Sequence, residues 1–338
     1  MVQVLVVDDS ALMRKMLSDI LSEDKDISVV GTAISGDDAL RKIPKLNPDV
    51  VTLDLEMPGL SGLETLKKIV DKYNVPVIIV SSYSSEGSKE TIEAMGLGAL
   101  DFVLKPKLEN IKEISDDLRL KIRALGKTKV KKFTHLKSYK KSFNHSRKKI
   151  IVIAASTGGP PTLEALLVQL PKNIPCPILV VQHMPPIFTK TFANRLNDIC
   201  KVEVKEASEG DELKNGTVLI APGGFHMELI AEVKGMEGVI KLNTKPHELG
   251  VRPCANKLFK SVAKIFEGNT IGVVLTGMGS DGKLGSEEIK KYGGTIIAQS
   301  EKTCIIYGMP KEVINANLAD EILDINDIPS ALIQLVEV

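Results

Sequence analysis

Long apolar runs are missing from this 338-residue chain, and no stretch approaches the ~20 residues that a membrane-spanning helix requires. A globular protein that is not embedded in a membrane is therefore expected. The short apolar stretch at the amino terminus is interrupted by Asp8 and Asp9, so no secretory signal is expected there. Cysteine is sparse: Cys176, Cys200, Cys254 and Cys304 all lie in the second half, widely spaced. That spacing offers neither a zinc site nor a disulfide framework, and it suits a reducing, cytoplasmic setting. No internal repeat is visible. A further absence is local, because residues 127–149 hold ten Lys or Arg and no acid. Against a net charge of +1, this leaves the rest of the chain at −9.

Such a segment repels itself and resists core formation, so it reads as a linker. Phe133, Leu136, Tyr139 and Phe143 recur in it at roughly helical spacing, which makes part of it a candidate for docking on a domain surface. A basic stretch also suggests nucleic acid, but no recognition-helix pattern adjoins it, and DNA binding is not expected. The apolar fraction of 43% is ordinary for globular cores, and the length is about twice that of one domain. The division expected is a domain over 1–125, a linker over 126–148 and a second domain over 149–338.

In the first half, the run Val50-Val51-Thr52-Leu53-Asp54 delivers a carboxylate to the end of a predicted strand, and Pro58-Gly59 force a turn soon after. Asp8 and Asp9 end Val4-Leu5-Val6-Val7 in the same way, Ser81 ends Val77–Val80, and Lys105-Pro106 follows Phe102-Val103-Leu104. The carboxyl ends of strands in an open parallel sheet share one edge, where ligands bind. Three acids brought together there repel one another, and a divalent oxygen-seeking cation such as Mg²⁺ relieves the repulsion. An aspartate on such a metal is also a competent nucleophile toward phosphorus, with Lys105 and Ser81 placed to meet the phosphoryl group. Helix capping by Asp9-Ser10 accounts for one of these acids but not for four functional groups at four strand ends.

These residues resemble the receiver domain of two-component response regulators over about residues 1–125. The resemblance implies a flavodoxin-like fold with Asp54 as phosphoacceptor. It makes Asp8, Asp9, Asp54 and the main-chain carbonyl of Glu56 the ligands of Mg²⁺. Phe102 takes the place of the aromatic switch residue, beside Ser81 and Lys105.

The second half restarts as strand and helix. Strands are expected at Lys149–Ala155, Ile178–His183, Val218–Ile220, Ile271–Thr276 and Thr295–Ala298. Helices are expected at Pro161–Leu170, Ile187–Asn197, Ala255–Phe266 and Gly282–Lys291. The alternation argues for a doubly wound, mostly parallel α/β domain, with hairpin-like runs between Asp211 and Leu242. Its first turn, Ala155-Ser156-Thr157-Gly158-Gly159-Pro160-Pro161, puts a serine hydroxyl at the sheet edge, beside helix amides that favour an anion. The Lys-Ser/Thr ending of a phosphate-binding loop does not follow this turn. His183 ends the next strand, and Asp281 sits in the glycine-rich turn Thr276–Gly282. A serine needs a base, and the base an acid that holds its tautomer; Ser156, His183 and Asp281 can fill those roles. The order Ser…His…Asp and the missing G-x-S-x-G elbow set this apart from the α/β-hydrolases. A strand-end histidine and an aspartate capping Gly282–Lys291 are the plainer readings of the last two.

Ala155–Pro160, Gln182-His183-Met184, Ala221-Pro222-Gly223-Gly224, Leu275–Gly282 and Tyr307-Gly308-Met309-Pro310 stand in order through residues 149–338. Together they resemble the catalytic domain of the chemotaxis receptor methylesterase family, CheB. With the receiver in front, the resemblance spans the chain apart from the linker. It implies hydrolysis of glutamate γ-methyl esters on chemoreceptor helices with release of methanol, and deamidation of receptor glutamine through a shared acyl-enzyme. Ser156 would be nucleophile, His183 general base and acid, Asp281 the orienting group, and the amide near Met278 an oxyanion donor. The ester chemistry would need no metal; Mg²⁺ would serve the receiver, phosphorylated by a chemotaxis histidine kinase. The unphosphorylated receiver would restrain the esterase. Relatives commonly carry His-Arg-Pro-Ser where this chain has Val251-Arg252-Pro253-Cys254, which bears on the pocket beside the three catalytic candidates. A receptor-binding adaptor without turnover is the alternative from another class.

Overall fold

The computed structural model describes residues 1–107, 109, 111–126, 149–231 and 238–337. Most of the basic segment expected to be a linker, including its four aromatic and apolar positions, falls outside those residues. The chain divides into two compact units, one on each side of it.

The first unit alternates β1 (Val2–Val7), α1 (Ala11–Ser22), β2 (Ile27–Ala33), α2 (Gly36–Leu46), β3 (Val50–Asp54), α3 (Gly62–Lys72), β4 (Val77–Ser81), α4 (Ser85–Gly96), β5 (Asp101–Leu104) and α5 (Ile111–Leu125). The strands form a parallel sheet in the order β2-β1-β3-β4-β5. Residues of β3 and β4 are buried throughout, as expected of β-branched runs covered on both faces by crossover helices. Each of α1–α4 begins behind a serine that accepts a hydrogen bond from a first-turn amide: Ser10, Ser35, Ser61 and Ser84. Ser61 and Glu64 complete a reciprocal capping box. The strand order reverses between β1 and β3, and a crevice for ligands opens at such a switch point.

The second unit contains β6 (Ile150–Ala155), α6 (Gly159–Leu167), β7 (Ile178–Gln182), α7 (Phe188–Ile199), β8 (Glu203–Glu206), β9 (Thr217–Ile220), β10 (His226–Ile230), β11 (Val239–Asn243) and α8 (Ala255–Phe266). It continues with β12 (Thr270–Val274), α9 (Lys283–Lys291), β13 (Thr295–Gln299), α10 (Met309–Asn315), β14 (Glu321–Leu323) and α11 (Ile328–Glu337). Seven strands pair in parallel in the order β14-β13-β12-β6-β7-β9-β8. The antiparallel element is a separate ribbon, β10 with β11. The hairpin-like stretch therefore holds one pair, while Val218–Ile220 belongs to the parallel sheet. Phe188, Phe192 and Phe259 are the largest fully buried side chains, and Phe259 packs in the main apolar cluster. Here the switch point falls between β6 and β12. Ser156 follows β6, His183 follows β7, and Asp281 lies beyond β12.

Candidate active site and acidic cluster

In the first unit, β1 and β3 are adjacent, so their carboxyl ends bring Asp8, Asp9 and Asp54 together, with one oxygen of each within 4.8 Å of the others. Asp8 Oδ1 accepts from Ser10 N at 2.8 Å, but its buried Oδ2 accepts no hydrogen bond and lies 3.8 Å from Lys105 Nζ. Asp54 Oδ1 accepts from Glu56 N at 3.1 Å, and Oδ2 accepts from Lys105 Nζ at 2.7 Å. Burial and the neighbouring Asp54 push the Asp8 carboxyl up to about 6. Burial raises Asp54 as well, against the pull of Lys105. Burial works against the charge on Lys105, yet Asp54 and Asp8 hold its ammonium above the usual range. One lysine for three carboxylates leaves an acidic excess, and an orphaned buried oxygen points into it. This donor set fits a hard divalent cation.

Glu56 turns its carboxylate away from the cluster to accept from Ser82 Oγ at 2.7 Å, leaving its main-chain carbonyl as the group to consider. Ser81 is at the end of β4, but its hydroxyl is engaged by α4, accepting from Thr91 Oγ1 at 2.6 Å. Phe102 is buried on β5, with Lys121 Nζ 5.7 Å from its ring centroid and donating to its carbonyl at 2.7 Å. Neither Ser81 nor Phe102 hydrogen-bonds to Asp54 among the described residues. Thr91 and Lys121, which fix them, are helix residues that no strand-end pattern announces.

In the second unit, His183 Nδ1 lies 3.0 Å from Ser156 Oγ and His183 Nε2 lies 2.8 Å from Asp281 Oδ2. Asp281 fixes Nε2 as the protonated nitrogen, which leaves Nδ1 to accept the serine proton. The carboxylate of Asp281 is almost entirely enclosed. Its Oδ2 also accepts from Ala255 N at 2.6 Å, and Oδ1 accepts from Asn256 N at 2.9 Å, Gly282 N at 2.8 Å and Cys254 Sγ at 3.0 Å. Burial raises an acid, but here the donors, His183 foremost, outweigh it and hold Asp281 at about 2. Burial and the adjacent carboxylate push the Cys254 thiol upward, so it remains a donor.

The aspartate expected as a possible cap of α9 thus meets the first-turn amides of α8 as well. Asn256 supplies the reciprocal contact, its Oδ1 accepting from Gly282 N at 3.0 Å and Gly285 N at 2.8 Å. No motif in the sequence marks Cys254, Ala255 and Asn256 as partners of Asp281; the departure from His-Arg-Pro-Ser is the available signal.

Backbone proximity shapes the remaining wall. Gly158 has φ +75°, and a Cβ there would stand 2.6 Å from Ile305 Cβ, so glycine is required twice over. A Cβ on Gly277 would stand 2.7 Å from Ser156 Cβ, which places the main chain entering Met278 against the serine. The N–H groups of Thr157 and Met278 donate to no acceptor among the described residues. Nucleophile, base, orienting acid and unspent amides are what acyl transfer needs.

A family model described as CheB methylesterase matches residues 151–332, and one described as response regulator receiver domain matches residues 4–116. The chain is 44% identical to a protein of Pyrococcus abyssi named protein-glutamate methylesterase/protein-glutamine glutaminase, over 99% of this chain and 94% of that one. A protein of Methanosarcina mazei of the same name, numbered 2, is 43% identical over 99% of this chain and 96% of its own. Among solved structures, the CheB methylesterase catalytic domain of Thermotoga maritima is 46% identical, with a TM-score of 0.55, covering 56% of this chain and all (100%) of that one. No helix among the described residues is long and apolar enough to cross a membrane.

Proposed function

The chain belongs to the CheB methylesterase family, with a response-regulator receiver domain preceding the catalytic domain, and from that premise we propose that it is a phosphorylation-regulated protein-glutamate methylesterase and protein-glutamine glutaminase acting on chemoreceptors. The observation that carries this reading is the unbroken contact chain from Ser156 Oγ through His183 to Asp281. A receptor-binding adaptor has no use for a serine on an imidazole whose other nitrogen is held by a buried carboxylate.

In the catalytic domain, assigned to residues 149–338, Ser156 passes its proton to His183 Nδ1 as Oγ attacks the γ-carbonyl of the methylated glutamate. The amide of Met278, with that of Thr157, is assigned to the developing oxyanion. The tetrahedral adduct collapses, and methanol leaves with the proton from Nδ1, or ammonia when the substrate is glutamine. Water then gives its proton to Nδ1 and attacks the Ser156 acyl group, and glutamate is released as Ser156 recovers its proton. Throughout, Asp281 holds Nε2–H and balances the imidazolium. No step calls for a metal.

The receiver is assigned to residues 1–125 and the linker to 126–148. Asp54 is assigned as phosphoacceptor, with a chemotaxis histidine kinase as donor. Mg²⁺ would be held by Asp8, Asp9, Asp54 and the Glu56 carbonyl, and when bound it offsets the charge gathered as phosphate approaches Asp54. Lys105 neutralises the phosphoryl group. Phosphorylation draws Ser81 away from its helix partner and resets Phe102. The protein is assigned to the cytoplasm, with methyl-accepting receptors as substrate and no nucleic acid as partner.

The test is methanol release from methylated chemoreceptor membranes, with and without Mg²⁺ and a small phosphodonor. Ser156→Ala should lose ~10⁴–10⁶-fold in turnover, by analogy with other serine triads. Receptor binding without release by the wild type would return the adaptor.

A further inference from the structure

Gln182 ends β7 immediately before His183, and it is buried, yet the chemistry above does not use it. Its Nε2 donates to two main-chain carbonyls at once, Ser156 O at 3.0 Å and His183 O at 3.1 Å. One carboxamide thereby ties the residue carrying the nucleophile to the residue carrying the base. The other end of the amide is an anomaly: Oε1 is buried with no hydrogen-bond partner. Turning the amide over would aim Oε1 at both carbonyls, so the surroundings fix which end is nitrogen. An apolar side chain of equal length would fill the same space and leave no orphan. The donor end is what distinguishes glutamine there.

Gly159 gives a second, independent indication. A Cβ on it would stand 1.9 Å from Gln182 Oε1, 2.8 Å from Cδ and 3.0 Å from Ala155 Cβ. Gly159 is not among the positive-φ glycines, so its backbone does not demand glycine; the glutamine is the nearest obstacle to a side chain there. Its own N–H donates at 2.7 Å to the same Ser156 carbonyl that Gln182 engages.

We propose that Gln182 is a positioning residue for hydrolysis, seated on Gly159, that preforms the Ser156–His183 contact by holding both main chains in register. It acts through those two residues and touches no substrate, and the proposal rests on Ser156 being the nucleophile. Displacing a reacting group by about 1 Å costs ~10²-fold in rate, which sets the scale.

The experiment uses the full chain carrying Gln182→Met, Gln182→Ala, Gly159→Ala, or Gly159→Ala with Gln182→Ala. Two rates are read: methanol release from methylated receptor membranes, and covalent labelling of Ser156 by a fluorophosphonate, which needs no receptor. Gln182→Met, which keeps the volume, should lower kcat and the labelling rate about 10–100-fold, with KM within about threefold. Gly159→Ala should do the same by displacing the amide, and it carries the test if the methionine variant does not fold. The double variant should lose less than the product of the two single losses, because the larger part of each acts through the same carboxamide. Rates within about threefold of wild type, a loss confined to KM, or losses that multiply in the double variant would overturn the proposal. Labelling that follows the expected pattern without methanol release would sustain the positioning role and reject the esterase reading. A wild type that is not labelled at Ser156 would reject both.

Discussion

The two units treat the amino ends of their helices in opposite ways. In the receiver, α1–α4 each begin behind a serine whose hydroxyl accepts a first-turn amide. In the catalytic domain, α6–α10 begin behind Gly158, Ile187, Cys254, Gly282 and Gly308, and none of these caps through its own side chain. The amides left open there are put to other use: those of α8 hold Asp281, and those beginning α9 hold Asn256. Helix amino ends attract anions, so a unit that leaves them uncapped can spend them on a buried carboxylate or an oxyanion. The acids differ accordingly. Asp281 has five donors and is held at about 2, whereas Asp8 has one amide and an orphaned oxygen and is pushed to about 6. Fixed donors make an acid permanently ready. An acid short of donors waits for a cation, which is what a switch requires.

Removing the charge from the well-supplied acid should have the larger effect. Asp281→Asn keeps the volume but offers an amide to His183 Nε2, so the imidazole can adopt the other tautomer and present N–H to the serine. A loss of ~10³–10⁴ in kcat with little change in KM is expected from esterase kinetics, as for the equivalent change in other triads. A loss below tenfold would mean that the α8 amides, rather than the acid, organise the site. In the receiver, Asp54→Asn should leave basal methanol release unchanged and abolish its rise with a phosphodonor. Persisting stimulation would place the phosphoacceptor elsewhere.

The acids also predict opposite responses to pH. A carboxyl whose folded value is raised contributes stability below about pH 4 that is lost as pH rises through about 6, and Asp8 is such a group. The metal-free receiver should therefore weaken across that window, and Mg²⁺ should restore it where Asp8 is ionised. Thermal unfolding of the receiver should show a larger Mg²⁺-induced rise at pH 7.5 than at pH 5, and Asp8→Asn should erase the difference. For Asp281, whose folded value is depressed, the contribution is present above about pH 4 and lost as pH falls through about 2. An equal Mg²⁺ effect at both pH values would show that repulsion is not what the cation relieves.

How much of this was legible depends on whether a signal is local. β-branched runs ending at Asp54, Ser81 and His183 announce themselves, because a strand buried on both faces must be continuously apolar. The helix Ala255–Phe266 has the bounds that its apolar period suggests. By contrast β8, Glu-Val-Lys-Glu, is an edge strand with one buried residue, and β14 has three residues, so neither has a run to read. The same limit governs the site. That a serine and a histidine stand at strand ends and an aspartate in a glycine-rich turn is a local fact, and the structure places them in contact. That the histidine presents Nδ1 to the serine, and that Asp281 rests on amides 25 and 26 residues earlier, are products of tertiary packing.

The smallest effects probe the caps themselves. Ser61→Ala should lower the stability of the receiver by about 1 kcal/mol, the usual worth of a serine cap, read from the urea midpoint. Cys254→Ser makes the converse change by placing a serine before α8. The serine hydroxyl can donate to Asp281 Oδ1 in place of the thiol, which lies 3.0 Å from it. Asp281 already occupies the amides of Ala255 and Asn256, and the next one, that of Lys257, already faces the Cys254 sulfur. The gain in stability should therefore stay below about 0.5 kcal/mol, half or less of an ordinary cap, and turnover should stay within about threefold. A full 1 kcal/mol gain with a drop in kcat would mean that the serine had taken those amides from Asp281. The cap and Asp281 would then be competitors for one helix end, which the arrangement of donors around Asp281 argues against.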